Sequence, residues 1–132
     1  MKTLIVEDEL TSRVLLRELL KRYGAPLVVM NGLEAVQAVK EAIAAGEPYD
    51  LICLDIMMPE MDGQQALRKI RQIEAEAGDG VKRARVIMTT AHADKSNVMQ
   101  AIQGQCDYFL VKPIDGRVLL EELRRLGLIP KA

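Results

Sequence analysis

Residues 50–63 read Asp-Leu-Ile-Cys-Leu-Asp-Ile-Met-Met-Pro-Glu-Met-Asp-Gly, and this stretch decides the fold. Leu51 to Leu54 and Ile56 form an apolar run of strand length, and Pro59 forbids a continuing ladder. The run therefore predicts a buried strand that leaves its sheet at Asp55. An acid in that place has two readings: a structural aspartate capping a turn or helix, or part of a site at the carboxyl edge of a sheet. Further carboxylates or a cation arriving nearby would decide between them.

Outward from this stretch, apolar runs ending on polar chemistry recur. Leu4 to Val6 ends on Glu7 and Asp8, Val86 to Met88 runs into Thr89, Thr90, Ala91 and His92, and Tyr108 to Val111 is followed by Lys112. Leu27 to Met30 is a further strand with only Asn31 and Gly32 behind it, which suits an edge. Between the runs, apolar residues fall at helical spacing. Leu16, Leu19, Leu20 and Tyr23 predict a helix over 11–23, stopped by Gly24 and Pro26. Asn31, with Glu34 three residues on, caps a second carrying Ala35, Val39, Ala42 and Ile43. Ala66, Leu67, Ile70, Ile73 and Ala77 mark a third, from Gly63 to Ala77. Asp94 caps a fourth that runs to Gln103 on a thin stripe of Val98, Ala101 and Ile102, so this helix is expected to be the least anchored. The fifth spans 115–126, with Leu119, Leu123 and Leu126 facing inward.

Five strands alternating with five helices predict an α/β fold, a three-layer αβα sandwich around a five-stranded parallel sheet. Ligands in such folds gather at the carboxyl ends of the strands, where Glu7, Asp8, Asp55, Thr90 and Lys112 converge.

The 132 residues fit one domain, 1–132, and the chain ends just after the fifth helix, so no output domain is expected. A net charge of −1 and dispersed basic residues give no general attraction to nucleic acid, and no direct DNA binding is expected. Lys82, Arg83 and Arg85, with no aromatic among them, read as a solvated loop. No apolar run approaches the roughly 20 residues that span a bilayer, and acids come too soon for a signal peptide, so a cytoplasmic protein without membrane contact is expected. Cys53 and Cys106 read as packed thiols. A single His removes His-based metal clusters.

Three carboxylates at one edge repel one another unless a cation joins them. Mg²⁺ answers this need, since it takes one or two carboxylates, keeps waters and accepts a phosphate oxygen. Asp55 could then attack phosphorus, with Thr90 donating a hydrogen bond and Lys112 supplying charge to the phosphoryl oxygens, giving an acyl phosphate. Taken singly each residue has a plainer reading: Glu7 and Asp8 as a solvated turn, Thr90 bonded to backbone, Lys112 as a surface lysine.

Val6-Glu7-Asp8, the run Leu54-Asp55-Ile56-Met57-Met58-Pro59-Glu60-Met61-Asp62-Gly63, Thr90-Ala91 and Lys112-Pro113 resemble, in order and spacing, the receiver domain of two-component response regulators, of the stand-alone chemotaxis-regulator type. The resemblance covers nearly the whole chain. It implies a flavodoxin-like strand order 2-1-3-4-5 and a phosphoacceptor signalling domain, not an enzyme, apart from promoting its own phosphotransfer and dephosphorylation. Asp55 would accept phosphate from a histidine kinase or phosphotransfer protein. Asp8 and Asp55 would bind Mg²⁺ directly, Glu7 through water, and Met57 by its backbone carbonyl. Thr90 and Lys112 would contact the phosphoryl group, and Lys112-Pro113 would be cis. Phe109 would be the switch aromatic in preference to Tyr108, and Met57 and His92 would tune dephosphorylation. Signalling would pass through the face of the fourth helix, fifth strand and fifth helix to a downstream protein. The chain departs from the family pattern at Gly104, one residue early with Gln105 in the usual glycine place, and in a long third helix.

Three rivals remain. A phosphatase with an aspartyl nucleophile expects an acid where Met57 stands. A flavin carrier of the same topology needs a hydroxyl-rich loop where Glu7-Asp8-Glu9 stands. The third is a receiver-like interaction module that is not phosphorylated.

Overall fold

The computed structural model describes residues 1–58, 60–92 and 94–131; Pro59, and with it the turn expected there, lies outside the described residues. Strands β1 (Thr3–Val6), β2 (Leu27–Val29), β3 (Leu51–Asp55), β4 (Arg85–Thr90) and β5 (Tyr108–Val111) alternate with helices α1 (Leu10–Leu20), α2 (Gly32–Ala44), α3 (Gly63–Ala77), α4 (Lys95–Gln103) and α5 (Gly116–Arg125). The strands form one sheet in the order β2-β1-β3-β4-β5, every neighbouring pair parallel. This is the expected three-layer sandwich.

Side-chain alternation along β3 explains why its sequence is apolar throughout. Ile52 and Leu54 enter a core with Leu4, Val6, Val86 and Met88 under α2 and α3, whereas Leu51 and Cys53 join Ile5, Ile87 and Leu110 under α1 and α5. A parallel strand covered on both faces has no solvated side, so polar alternation is absent. The strand ends at Asp55, as the run predicts. β4 is longer than its apolar residues alone indicate, because Thr89 and Thr90 are buried and continue the ladder.

Caps fix the helix starts. The Asn31 side chain accepts the Glu34 backbone N–H at 2.9 Å, and Glu34 reaches back to the Met30 N–H at 2.9 Å. Asp62 and Gln65 form a full capping box on α3 that the sequence reading did not identify. Asp94 accepts from the Asn97 N–H at 2.8 Å, and Asp115 caps α5. Gly63, the first residue of α3, is required by contact rather than conformation: a Cβ there would lie 2.2 Å from the Asp55 carbonyl oxygen. That closeness ties the start of α3 to the end of β3.

Two expectations are corrected. The loop bases are exposed but not simply solvated: Lys82 pairs with Asp50, Arg83 donates to the Gln105 side chain at 3.1 Å, and Arg85 lies 3.5 Å from Asp107. Leu126 is half-buried, leaving Leu119 and Leu123 as the buried anchors of α5. Only Ala101 of α4 is buried, and Ile102 is 62% exposed, so the apolar hold on α4 is thinner still than its stripe implies. Both cysteines are free thiols, and burial pushes Cys53 up to about 12. Among the described residues no helix is long and apolar enough to cross a membrane.

Candidate functional site

Strand parity brings the site together. Glu7, Asp55 and Lys112 each stand two residues beyond a core residue of the α1/α5 layer, Ile5, Cys53 and Leu110 respectively, and so rise on that side of the sheet's carboxyl edge. Their contacts agree. Lys112 Nζ lies 2.9 Å from Glu7 Oε1, 3.1 Å from Glu7 Oε2 and 3.4 Å from Asp55 Oδ2. Glu7, Asp8 and Asp55 each offer an oxygen, all within 4.8 Å of one another. Glu7 and Asp55 are buried and Asp8 is exposed, giving a pocket with two sheltered acids and one at the mouth.

The electrostatics follow from that burial. Desolvation, then the hydrogen bond and charge of Glu7, push the Asp55 carboxyl up to about 7, against the lowering effect of Lys112. Burial works against the Lys112 ammonium, but the hydrogen bond it donates to Glu7 and the charges of Asp55, Glu7 and Glu9 outweigh it and raise its pKa. Glu9, 3.8 Å from Lys112, was not among the predicted site residues. Its bond from the Ser12 hydroxyl and the nearby Lys112 hold its carboxyl below the usual range. The acidic run Glu7-Asp8-Glu9 was the available signal.

The donor set fits a hard divalent cation. Among the described residues the buried Glu7 Oε1 accepts no hydrogen bond of good geometry, its contact being the Lys112 ammonium 2.9 Å away, so it keeps lone-pair capacity for a further partner. Oxygen ligands alone and a cluster of acids are the chemistry Mg²⁺ requires. Met57 contributes its N–H, 3.4 Å from Asp55 Oδ1, and is 59% exposed.

Thr90 is fully buried, and its hydroxyl both accepts the His92 N–H at 3.1 Å and donates to the His92 carbonyl at 3.3 Å. The plainer reading of a hydroxyl bonded to backbone is thus met, and Thr90 touches Lys112 through the main chain, its carbonyl accepting the Lys112 N–H at 2.7 Å, while its side chain bonds to His92. Register places Phe109 beside Met88 and Val111 beside Thr90, so Phe109 shares the face of Thr90 while Tyr108 packs into the opposite layer. Phe109 is half-buried. His92 is exposed. Lys112-Pro113 is cis. Gln105 has φ 67°, the left-handed conformation, whereas Gly104 is right-handed and is needed because a Cβ would lie 2.7 Å from Leu67 Cδ2.

The sequence matches the model of the response regulator receiver domain over residues 3–124. The chain belongs to this family. As a receiver domain it is 36% identical to chemotaxis protein CheY of Bacillus subtilis over 126 residues, which cover 94% of this chain and 95% of that protein. It is 35% identical over 122 residues to the sensor histidine kinase GacS of Pseudomonas protegens, covering 91% of this chain but 12% of the kinase. Among solved structures, a chain of the CheX-CheY-BeF3-Mg²⁺ complex from Borrelia burgdorferi superposes with a TM-score of 0.81 at 27% identity, covering 98% of this receiver domain and 90% of that chain. The receiver domain of the Arabidopsis thaliana histidine kinase CKI1, solved with Mg²⁺ and BeF3⁻, gives 0.78 at 29% identity, covering 96% and 89%. A receiver is a phosphoacceptor signalling domain of two-component systems, and this chain carries the acidic cluster at the expected edge.

Proposed function

We propose that Asp55 accepts a phosphoryl group from a phosphohistidine and that the resulting acyl phosphate changes the α4-β5-α5 face for a downstream protein. The observation that carries this reading is a buried aspartate flanked by a second buried acid and by a lysine 3.4 Å away, at the carboxyl edge of a parallel sheet. Bound by Asp8 and Asp55, by Glu7 through water and by the Met57 carbonyl, Mg²⁺ would supply positive charge to the phosphoryl oxygens. The protein's own groups do the rest. An Asp55 oxygen attacks phosphorus, the phosphorus–nitrogen bond breaks, and the departing imidazole nitrogen keeps the electron pair and takes a proton. Lys112 stabilises charge on the phosphoryl oxygens, leaving Glu7 to do so. Thr90 turns its hydroxyl proton from the His92 carbonyl to the phosphoryl group, and Phe109, on the same face, moves into the space vacated.

The partner supplying phosphate is a histidine kinase or a phosphotransfer protein, consistent with the relatives named above. Met57 occupies the place where an aspartyl phosphatase needs its general acid, so turnover of external phosphoesters is not expected. Hydrolysis of the domain's own acyl phosphate returns it to the resting state, with Met57 and His92 setting its rate. Incubation with acetyl phosphate and Mg²⁺ tests the reading by intact mass. One added phosphoryl group, absent in Asp55→Asn and dependent on the metal, is expected. Release of inorganic phosphate from unrelated monoesters with no phosphoprotein would favour the phosphatase, and no reaction at all the unphosphorylated module.

A further inference from the structure

A chain of hydrogen bonds leads from Thr90 into α4 and ends on a buried side chain of α3. The His92 carbonyl accepts from the Thr90 hydroxyl at 3.3 Å and from Asn97 Nδ2 at 3.1 Å. Asn97 lies in the first turn of α4, and its own backbone carbonyl accepts from Gln64 Nε2 at 2.9 Å. Gln64 is 4% exposed. The amide orientation is fixed by chemistry, since a carbonyl only accepts and the Gln64 nitrogen must face it. The other end of that amide, Oε1, is buried without a partner among the described residues, which costs stability that an apolar side chain of the same size would not incur. Among the described residues the bond to Asn97 is thus the sole hydrogen bond of this buried amide, and it holds the start of the one helix that has a single buried residue, Ala101.

We propose that Gln64 and Asn97 are positioning residues for phosphoryl uptake: together they form a latch that ties His92 to the start of α4 in the resting form and holds the Thr90 hydroxyl on His92. This rests on the reading of Asp55 as phosphoacceptor. Thr90 has one hydroxyl proton. While it is donated to the His92 carbonyl it is withheld from a phosphoryl group on Asp55, so the resting form opposes phosphorylation by the free energy of the latch. By linkage, weakening the latch favours the form that Asp55 phosphorylation favours. One net hydrogen bond corresponds to a shift of about three- to tenfold.

The test uses Gln64→Met, which keeps the volume but removes the donor, Asn97→Ala, whose side chain is not buried, and the double variant. Beryllium trifluoride with Mg²⁺ is titrated into each protein and followed by amide NMR, and α4 amide exchange is measured without the mimic. Each single variant is expected to bind the mimic about three- to tenfold more tightly, and α4 amides are expected to exchange faster. The double variant should gain no more than the better single one, because both residues act in one chain. A purely structural role predicts unchanged or weaker binding of the mimic. Unchanged affinity, weaker affinity, or gains that multiply would overturn the latch. A wild-type protein that takes up neither acetyl phosphate nor mimic would overturn the reading of Asp55 and the latch with it.

Discussion

Replacing Asp55 with Asn should stabilise the metal-free protein at alkaline pH, and the size of the effect follows from the pocket. The Asp55 carboxyl is 3% exposed and is pushed up from 3.8 to about 7. Between those values the folded state binds a proton that the unfolded state has released, so stability falls as pH rises through the window and levels off above it. The full shift corresponds to about 4 kcal/mol, and relaxation around Glu7 and Lys112 reduces the expected loss to about 2–4 kcal/mol between pH 4.5 and pH 8. Glu9 and Asp50 have lowered values, so their contributions are lost only as pH falls below the ordinary carboxylate range, outside the window. The raised Lys112 value contributes fully throughout it. Urea unfolding in the presence of a chelator, at both pH values, measures the loss. Wild type should be weaker at pH 8, Asp55→Asn should be nearly flat, and Mg²⁺ at ten times its dissociation constant should return about 1.4 kcal/mol to wild type at pH 8. Equal wild-type stability at the two pH values, or no gain from Asp55→Asn at pH 8, would refute the account of the pocket.

Other substitutions probe single contacts. Gly63→Ala sets a Cβ 2.2 Å from the Asp55 carbonyl oxygen and should cost about 1–3 kcal/mol in urea unfolding while slowing phosphorylation by acetyl phosphate; an unaffected protein would show that α3 can yield there. Gln105→Gly relieves φ 67° and should raise stability by about 0.5–1 kcal/mol, whereas a loss would mean that the Arg83 contact outweighs the strain. Met57 stands two residues after Asp55 and is 59% exposed, and Met57→Asn, which could orient water toward the acyl phosphate, should shorten the phosphoprotein's lifetime as followed by intact mass; an unchanged lifetime would remove the proposed shielding role.

What the sequence revealed and what it concealed divide along physical lines. The β3 run, the glycine and proline stops and the capping residues are local signals, and they located every strand and helix to within a few residues. Glu7, Asp8, Asp55 and Lys112 were legible because each follows an apolar strand, and a parallel sheet must carry such ends to one edge. Thr90 reached its predicted edge but faces His92, since a hydroxyl bonds to the nearest backbone when no phosphoryl group is present. The hidden features depend on pairs distant in sequence. Arg71, outwardly one more charge on α3, has a side chain only 9% exposed that bonds to Glu74, Asp107 and the carbonyls of Ala84 and Gln105. Gln64 falls between Gly63 and Gln65 and gives no sign of its bond to Asn97, 33 residues away. The departure at Gly104 has a packing cause that the sequence hides: Gly104 lies against Leu67, and Gln105 takes the left-handed turn.

The central claim is that the Asp55 carboxylate carries the phosphoryl group. Borohydride reduces an acyl phosphate to the alcohol, so the protein phosphorylated with acetyl phosphate and Mg²⁺ can be trapped, digested and mapped by tandem mass spectrometry. Homoserine in place of Asp55, in the peptide spanning β3 and nowhere else, is the predicted result. Homoserine at another acid, or none at position 55 in a protein shown to carry phosphate, would contradict it.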